Sequence, residues 1–397
     1  MSMDDFRKSP AGRLLKVGSG AAAYRAFVPQ PLPPDLPFTP ALVRALSEAD
    51  RALGELAGLG RALANPQLLV RPYIRREAVL SSRIEGTQSN IADLYAFEAG
   101  QPALPGVLPA PPEADVREVH NYVTALEYGI KRMKTFPVSL RLIRELHERL
   151  MKGVRGDRAT PGEFRHSQNW IGRPGCTLNE AAFVPPPVPE MNDALGAFEK
   201  YLHAKNGHPP LLRLAFIHYQ FEAIHPFLDG NGRIGRLLIP LLLTSWNLLG
   251  LPLLYLSVYF ERRRDEYYNR LAAVSRSGAW TEWAAFFLDG VTEQSRDAIV
   301  RAGQLQDLQA AWRNRLQRLK RTTALPLGIV DALFENPTLS ATQVARRFDV
   351  THQAAMKSLR RLVGLKIVRE ITDRRRNQVF LAEEILKIVS ETRGTRR

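Results

Sequence analysis

Twelve consecutive residues, His225-Pro226-Phe227-Leu228-Asp229-Gly230-Asn231-Gly232-Arg233-Ile234-Gly235-Arg236, gather several kinds of phosphate chemistry in one loop. Gly230 and Gly232 let the backbone curl until its N–H groups converge on an anion, and a helix starting there adds its positive end. Arg233 and Arg236 are three apart and share a helical face, so two guanidinium groups can grip successive phosphates. Asp229 would repel a phosphate unless a divalent cation lay between them, which makes it the expected Mg2+ ligand. His225 stands at the entrance, placed to take the proton of an attacking hydroxyl, work typically worth about 100- to 10,000-fold in rate. Phe227 and Leu228 read as wedges that fix the loop to a core. Taken singly, each feature has an ordinary structural explanation; their concentration in one loop is what points to a nucleotide. The Gly-x4-Gly-Lys-Ser/Thr pattern of the familiar nucleotide-triphosphatase loop is absent.

The elements that must position this loop are apolar helices. Pro209 and Pro210 open the segment LLRLAFIHYQFEAI that runs into it, and Leu237 to Leu256 follows it. That second segment has the length of a membrane span. Pro240, Asn247, Gly250 and Pro252 interrupt it, so we expect a buried core helix and no membrane contact. Upstream, Ala22 to Pro40 is proline-rich and reads as an extended arm, and a helix follows with Pro72 in its first turn and Gly86 at its end. Amphipathic helices are expected over Glu113 to Lys152 and Glu190 to Asn206. Between them Gln168 to Pro187 has turn residues with apolar flanks, the pattern of a projecting hairpin. A polar connecting helix is expected from about Thr292 to Arg321.

The chain has 397 residues, 45% of them hydrophobic and 24% charged, enough for two or three globular domains. Its one cysteine, Cys176, excludes a disulfide framework, and with no apolar leader at the N-terminus this leads us to expect a cytoplasmic protein. The net charge of +15 suits an anionic partner. Most of it is concentrated in the last fifth, where Trp312 to Arg397 holds 19 Lys and Arg against 8 Asp and Glu.

The loop resembles the signature of the Fic family, His-x-Phe-x-(Asp/Glu)-Gly-Asn-Gly-Arg-x-x-Arg, and every fixed position is matched. The resemblance implies a mainly α-helical fold, a Fic-type core with a β-hairpin flap, and transfer of AMP from ATP, with Mg2+, to a Tyr, Thr or Ser hydroxyl of a target protein. It implies His225 as general base and Asp229, Gly230, Asn231, Gly232, Arg233, Ile234, Gly235 and Arg236 as the ATP-binding loop, with Asp229 the metal ligand. Ser81-Ser82-Arg83-Ile84-Glu85-Gly86 likewise resembles the family's inhibitory motif, (Ser/Thr)-x-x-x-Glu-(Gly/Asn). Ser81, Glu85 and Gly86 would then form a brake in which the carboxylate competes with the γ-phosphate for Arg236. The hairpin takes the place of the family's flap, with Phe183, Val184 and Pro185 as target-docking candidates, and Tyr268, near Tyr267 and Ser275, as the adenine-side candidate.

From Leu325 onward a helix is followed by Ser340-Ala341-Thr342-Gln343 capping a second and Asp349-Val350-Thr351 turning into a third, and the segment resembles a winged helix-turn-helix. Its third helix carries His352, Gln353, Lys357, Arg360 and Arg361, and a basic turn carries Arg374 and Arg375, all candidates for DNA contact. Such modules also dimerise or bind proteins, so a DNA partner, a protein partner and a homodimer all stand at this point. The expected organisation is an N-terminal arm with the inhibitory helix over 1–100, a catalytic core over 101–290, a connecting helix over 291–324 and the small basic domain over 325–397. The leading expectation is an autoinhibited protein adenylyltransferase acting on an unidentified target, itself included. A DNA-binding regulator whose Fic core senses nucleotide or partner is the second, and removal of AMP or transfer of another phosphate-bearing group the third.

Overall fold

The structure is a computed structural model that describes residues 3–20, 23–62, 66–98, 111–154, 160–173, 175–204, 207–319, 324–372 and 378–390. Its elements in chain order are strands β1 (Gly12–Val17) and β2 (Tyr24–Pro29), then helices α1 (Pro40–Ala62), α2 (Gln67–Ile84), α3 (Ile91–Glu98), α4 (Glu113–Arg132), α5 (Leu140–Leu150), α6 (Val188–His203), α7 (Pro210–Ile224), α8 (Asn231–Ser245), α9 (Ser257–Arg262), α10 (Arg264–Ser277) and α11 (Trp280–Gln317). There follow α12 (Ala324–Glu335), β3 (Thr338–Ser340), α13 (Ala341–Phe348), α14 (His352–Gly364), β4 (Arg369–Glu370), β5 (Val379–Leu381) and α15 (Glu383–Ser390). The fold is mainly helical, as the sequence led us to expect. Two compact units can be distinguished, Met1–Ala57 with Thr124–Ser295, and Gly58–Val123 with Arg296–Arg397.

The first unit is built on α7 and α8. Twelve residues of α7 are buried, so it is apolar on nearly every side and lies within the core. It packs on α6, on α8 and on β2. Trp283 of α11 is fully buried and donates its indole N–H to the Ala215 carbonyl at 2.9 Å. The helix after the loop ends at Ser245, with Asn247 in the left-handed region at φ 57°. Among the described residues no helix is long and apolar enough to cross a membrane.

Three local expectations need correction. The proline-rich arm is only partly an arm, because β2 pairs antiparallel with β1, Leu14 opposite Phe27, and buries Ala26 and Phe27. Pro72 lies inside α2, which begins at Gln67, well past the first turn. The connecting helix starts at Trp280, twelve residues before Thr292, because the aromatic face of Trp283, Phe286 and Phe287 continues the helix into the core.

In the second unit α2 packs on α12 and α15. Arg76 and Arg301 both bind the Asp297 carboxylate, at 3.0 and 2.7 Å, and Tyr73 donates to the Ala298 carbonyl at 3.1 Å. Two guanidinium groups hold the Asp297 carboxyl below its ordinary pKa despite the burial that opposes them. The C-terminal strands form one antiparallel sheet in the order β3-β5-β4. Helix α13 begins with a capping box in which Ser340 Oγ accepts from the Gln343 N–H at 3.2 Å and Gln343 answers at the Ser340 N–H, the start read from the sequence. At α14 the cap is one-sided, with Thr351 Oγ1 accepting from the Ala354 N–H at 3.2 Å.

Candidate active site

The twelve-residue loop joins the C-terminus of α7 to the N-terminus of α8, and both joints are left-handed. His225 ends α7 at φ 49° and ψ 60°, and Gly230 opens α8 at φ 79°. For glycine that conformation costs little; for histidine it costs about 1–2 kcal/mol, so other contacts must hold it. Asn231 closes the loop on itself. Its Oδ1 accepts from the Phe227 N–H and its Nδ2 donates to the Phe227 carbonyl, each at 2.8 Å.

Phe227 is fully buried, the wedge expected of it, whereas Leu228 is 39% exposed and wedges nothing. The anchor on which Phe227 rests escaped the sequence reading. The imidazole of His147 in α5 stacks on the Phe227 ring at 3.7 Å with 6° between planes. Nδ1 of His147 accepts the Gly162 N–H at 2.9 Å, so the proton of the neutral ring lies on Nε2, which donates to the Asp229 carbonyl at 3.0 Å. Burial pushes the pKa of His147 down to about 4, keeping it in this form at neutral pH. The residues flanking Asp229 are thereby fixed.

Asp229 itself faces outward. Its side chain is 48% exposed, and Oδ1 accepts from the Gly230 N–H at 2.5 Å and from Arg233 at 3.3 Å. Its second oxygen takes no hydrogen bond among the described residues. Arg233 and Arg236 are buried on the first turns of α8, 3% and 1% exposed. Gly235 allows α7 and α8 to approach, since a Cβ there would stand 2.3 Å from Glu222 Oε1. His218 of α7 braces the same turn by donating from Nδ1 to the Gly235 carbonyl at 3.2 Å and accepting at Nε2 from the Tyr267 hydroxyl at 2.8 Å. Burial drives its pKa down to about 3, so it too is neutral.

The other predicted residues divide by what is left exposed. The hydroxyl of Tyr267 is engaged by His218 and that of Ser275 by Tyr219 at 2.8 Å, while Tyr268 is 41% exposed on α10. Among the described residues the flap segment forms one isolated β-bridge, Ile171 to Phe183, and it turns through a short 3-10 helix at Leu178–Glu180. Phe183 packs against Phe6 and Phe27, Val184 is fully buried, and the Pro185 carbonyl accepts from Gln168 at 3.0 Å. The exposed apolar side chains of this segment are Trp170 and Ile171, at 43% and 41%. In the second unit Ser81 is buried in α2, Glu85 follows the last helical residue with an exposed side chain, and Gly86 turns the chain at φ 101°. Of the C-terminal candidates His352, Gln353, Lys357 and Arg360 are exposed and Arg361 is half-buried, whereas Arg374 and Arg375 lie outside the described residues. Among the described residues no three His, Cys, Asp or Glu side chains are grouped to hold a metal.

A mainly helical frame thus presents a glycine-turned loop, two buried arginines and an outward-facing carboxylate. Residues 43–131 match the N-terminal model of the Fic/DOC family and residues 137–243 match its Fic model. The chain therefore carries a Fic domain. It is 31% identical over 186 residues to a protein adenylyltransferase Fic of Aedes aegypti, and 29% identical over 185 residues to that of Drosophila grimshawi, covering 45% of this chain in each case. The chain spans about a third of the length of these curated relatives, 34% of each. A Fic family protein from Desulfovibrio desulfuricans G20 has a similar fold, with TM-score 0.56 at 21% identity over 92% of this chain and 100% of the other. Fic-1 of C. elegans, residues 134–508, follows with TM-score 0.51 at 22% identity over 68% of this chain and 74% of the other.

Proposed function

We propose that this protein transfers AMP from ATP to a Tyr, Thr or Ser hydroxyl of a target protein and releases pyrophosphate. The observation that carries this reading is the loop between α7 and α8, which brings together a half-buried His225, an exposed Asp229 and the buried Arg233 and Arg236. His225 takes the proton of the attacking hydroxyl. The amides after Gly230 and the two guanidinium groups bind the phosphates and neutralise charge that builds on them. Asp229 fits a Mg2+ ion, which needs few protein ligands when phosphate oxygens and water complete its shell. One carboxylate with an oxygen unspent by hydrogen bonding meets that need; when bound, the ion would polarise the phosphates. Tyr268 is the candidate for the adenine face.

Glu85 is retained as the inhibitory residue, with Ser81 and Gly86 in its motif. The test is incorporation of label from ATP carrying the label at either the α- or the γ-phosphate, using the parent, Glu85→Gly and His225→Ala. Adenylylation predicts that α label alone is transferred, more by Glu85→Gly than by the parent, and that His225→Ala abolishes it. Transfer of γ label would replace the reading with phosphorylation. Equal incorporation by parent and Glu85→Gly would remove the brake.

A second reading concerns the C-terminal module, which we infer to be a winged helix-turn-helix that contacts DNA through α14. The exposed cations Arg346, Arg347, Lys357 and Arg360 on the adjacent helices α13 and α14 favour it. True phosphate contacts make affinity for duplex DNA fall steeply as salt rises, and no binding at about 50 mM salt would leave the module a protein-binding one.

A further inference from the structure

Arg165 lies just before the flap segment, is 1% exposed, and belongs among the largest buried side chains of the protein. Every donor group of its side chain is directed at a backbone carbonyl. Nε reaches His225 O at 3.0 Å, one terminal nitrogen reaches Ser167 O at 3.1 Å, and the other reaches Pro186 O at 2.5 Å. Its own backbone N–H donates to Pro226 O at 2.9 Å. Asn169 adds a second donor to His225 O, at 3.3 Å, and one to Phe227 O at 2.8 Å. Among the described residues no carboxylate pairs with this guanidinium. Burial pulls its pKa down to about 10, opposed by the phenol of Tyr24.

A buried cation without a counter-charge is expensive, and an apolar side chain would fill the same space at lower cost. What a guanidinium supplies there is geometry, because its planar fork can hold three carbonyls in fixed directions at once. One of those carbonyls belongs to His225, the residue held in the left-handed region. The other two belong to Ser167 and Pro186, which bracket the flap segment on either side. A single side chain therefore sets the position of the base and of the two ends of the docking segment.

We propose that Arg165 is a positioning residue for AMP transfer: it fixes the distance between the His225 imidazole and a hydroxyl presented on the flap, without touching nucleotide. The inference rests on the adenylyltransferase reading of the same site. Misplacement of a base by about 1 Å is worth roughly 100-fold in rate, while the phosphate-binding half of the loop is held independently by His147 and Asn231. Loss of Arg165 should therefore lower the saturating rate and leave nucleotide affinity alone.

The experiment compares Arg165→Ala and Arg165→Lys with the parent, each in the Glu85→Gly background. It follows incorporation of α-labelled AMP into the chain itself as ATP is varied, and Mg-ATP binding by calorimetry. We expect the saturating rate to fall about 100-fold in both variants, with unchanged Mg-ATP affinity. Guanidinium ion added at tens of millimolar should restore Arg165→Ala, and ethylammonium should not. Amide hydrogen exchange at His225 and Phe227 should quicken in Arg165→Ala and slow again with guanidinium, a result that holds even if no AMP is transferred and the functional reading fails. An active Arg165→Lys, a loss of Mg-ATP affinity matching the loss of rate, or a collapse of the thermal transition that guanidinium leaves unrepaired would each overturn the proposal.

Discussion

Two neutral histidines brace the loop, His147 beneath the Asp229 carbonyl and His218 beneath that of Gly235, and acid should attack both. Their ordinary pKa of 6.5 falls to about 4 for His147 and about 3 for His218 in the folded chain. Between the folded and unfolded values the unfolded chain binds more protons, so stability is complete above about pH 6.5 and is lost as pH falls toward the folded values. At about pH 5 each unfolded histidine is protonated by an extra 1.5 units' worth of free energy, roughly 2 kcal/mol, while the folded ones scarcely respond. The pair should therefore cost the first unit about 4 kcal/mol between about pH 7.5 and pH 5, an upper figure of the same order as a domain's whole stability. Urea unfolding followed by tryptophan fluorescence measures it, since Trp170, Trp246, Trp280 and Trp283 all lie in that unit. The comparison is with His147→Gln/His218→Gln, which starts weaker through lost hydrogen bonds but has no imidazole to titrate. The parent's midpoint should drop steeply on acidification and the double variant's should drop far less. Parallel pH profiles would refute the claim that these rings are buried in neutral form.

Gly230→Ala places a side chain at φ 79° with its Cβ 2.9 Å from Met151 Sδ, so we expect it to abolish measurable Mg-ATP binding by calorimetry, whereas Gly250→Ala, with nothing within 4 Å, should bind normally. Asp297→Ala removes the carboxylate shared by Arg76 and Arg301 and should destabilise the second unit by about 3–5 kcal/mol in urea unfolding; a change below about 1 kcal/mol would show that the pair is solvated. Ser340→Ala breaks the capping box of α13 and should cost about 1 kcal/mol, read as a lower thermal midpoint of the C-terminal module without loss of AMP transfer.

What the sequence made legible and what it hid differ in range along the chain. The candidate loop was legible because His225, Asp229, the glycines and both arginines are contiguous in the chain, and the start of α13 because Ser340 and Gln343 are three apart. Each of these signals is carried by neighbours. The residues that hold the loop in shape carry none. His147 meets Asp229 across 82 positions, Arg165 meets His225 across 60 and Asn169 meets Phe227 across 58, and each contact is from a side chain to a carbonyl that any residue would supply. No property of the partner's side chain betrays such a pair. The same limit explains β1, whose partner strand lies in a segment dominated by proline, and Leu228, whose apolar side chain suggested burial that only tertiary geometry could deny.

That division has a consequence for how the site can fail. On the proposed function the reactive groups are Asp229 and His225, and both are partly exposed, so their replacement should remove chemistry and leave a folded protein. The braces are buried and bind backbone, so replacing them alters position first and stability next. His225 in particular sits in a conformation its own side chain disfavours, and what holds it there is the set of donors aimed at its carbonyl and the helix behind it. On the proposed reading of His225 as the base, a group kept in place by distant residues is aligned before any hydroxyl arrives, and alignment of that kind reduces the reorganisation left for the reaction itself.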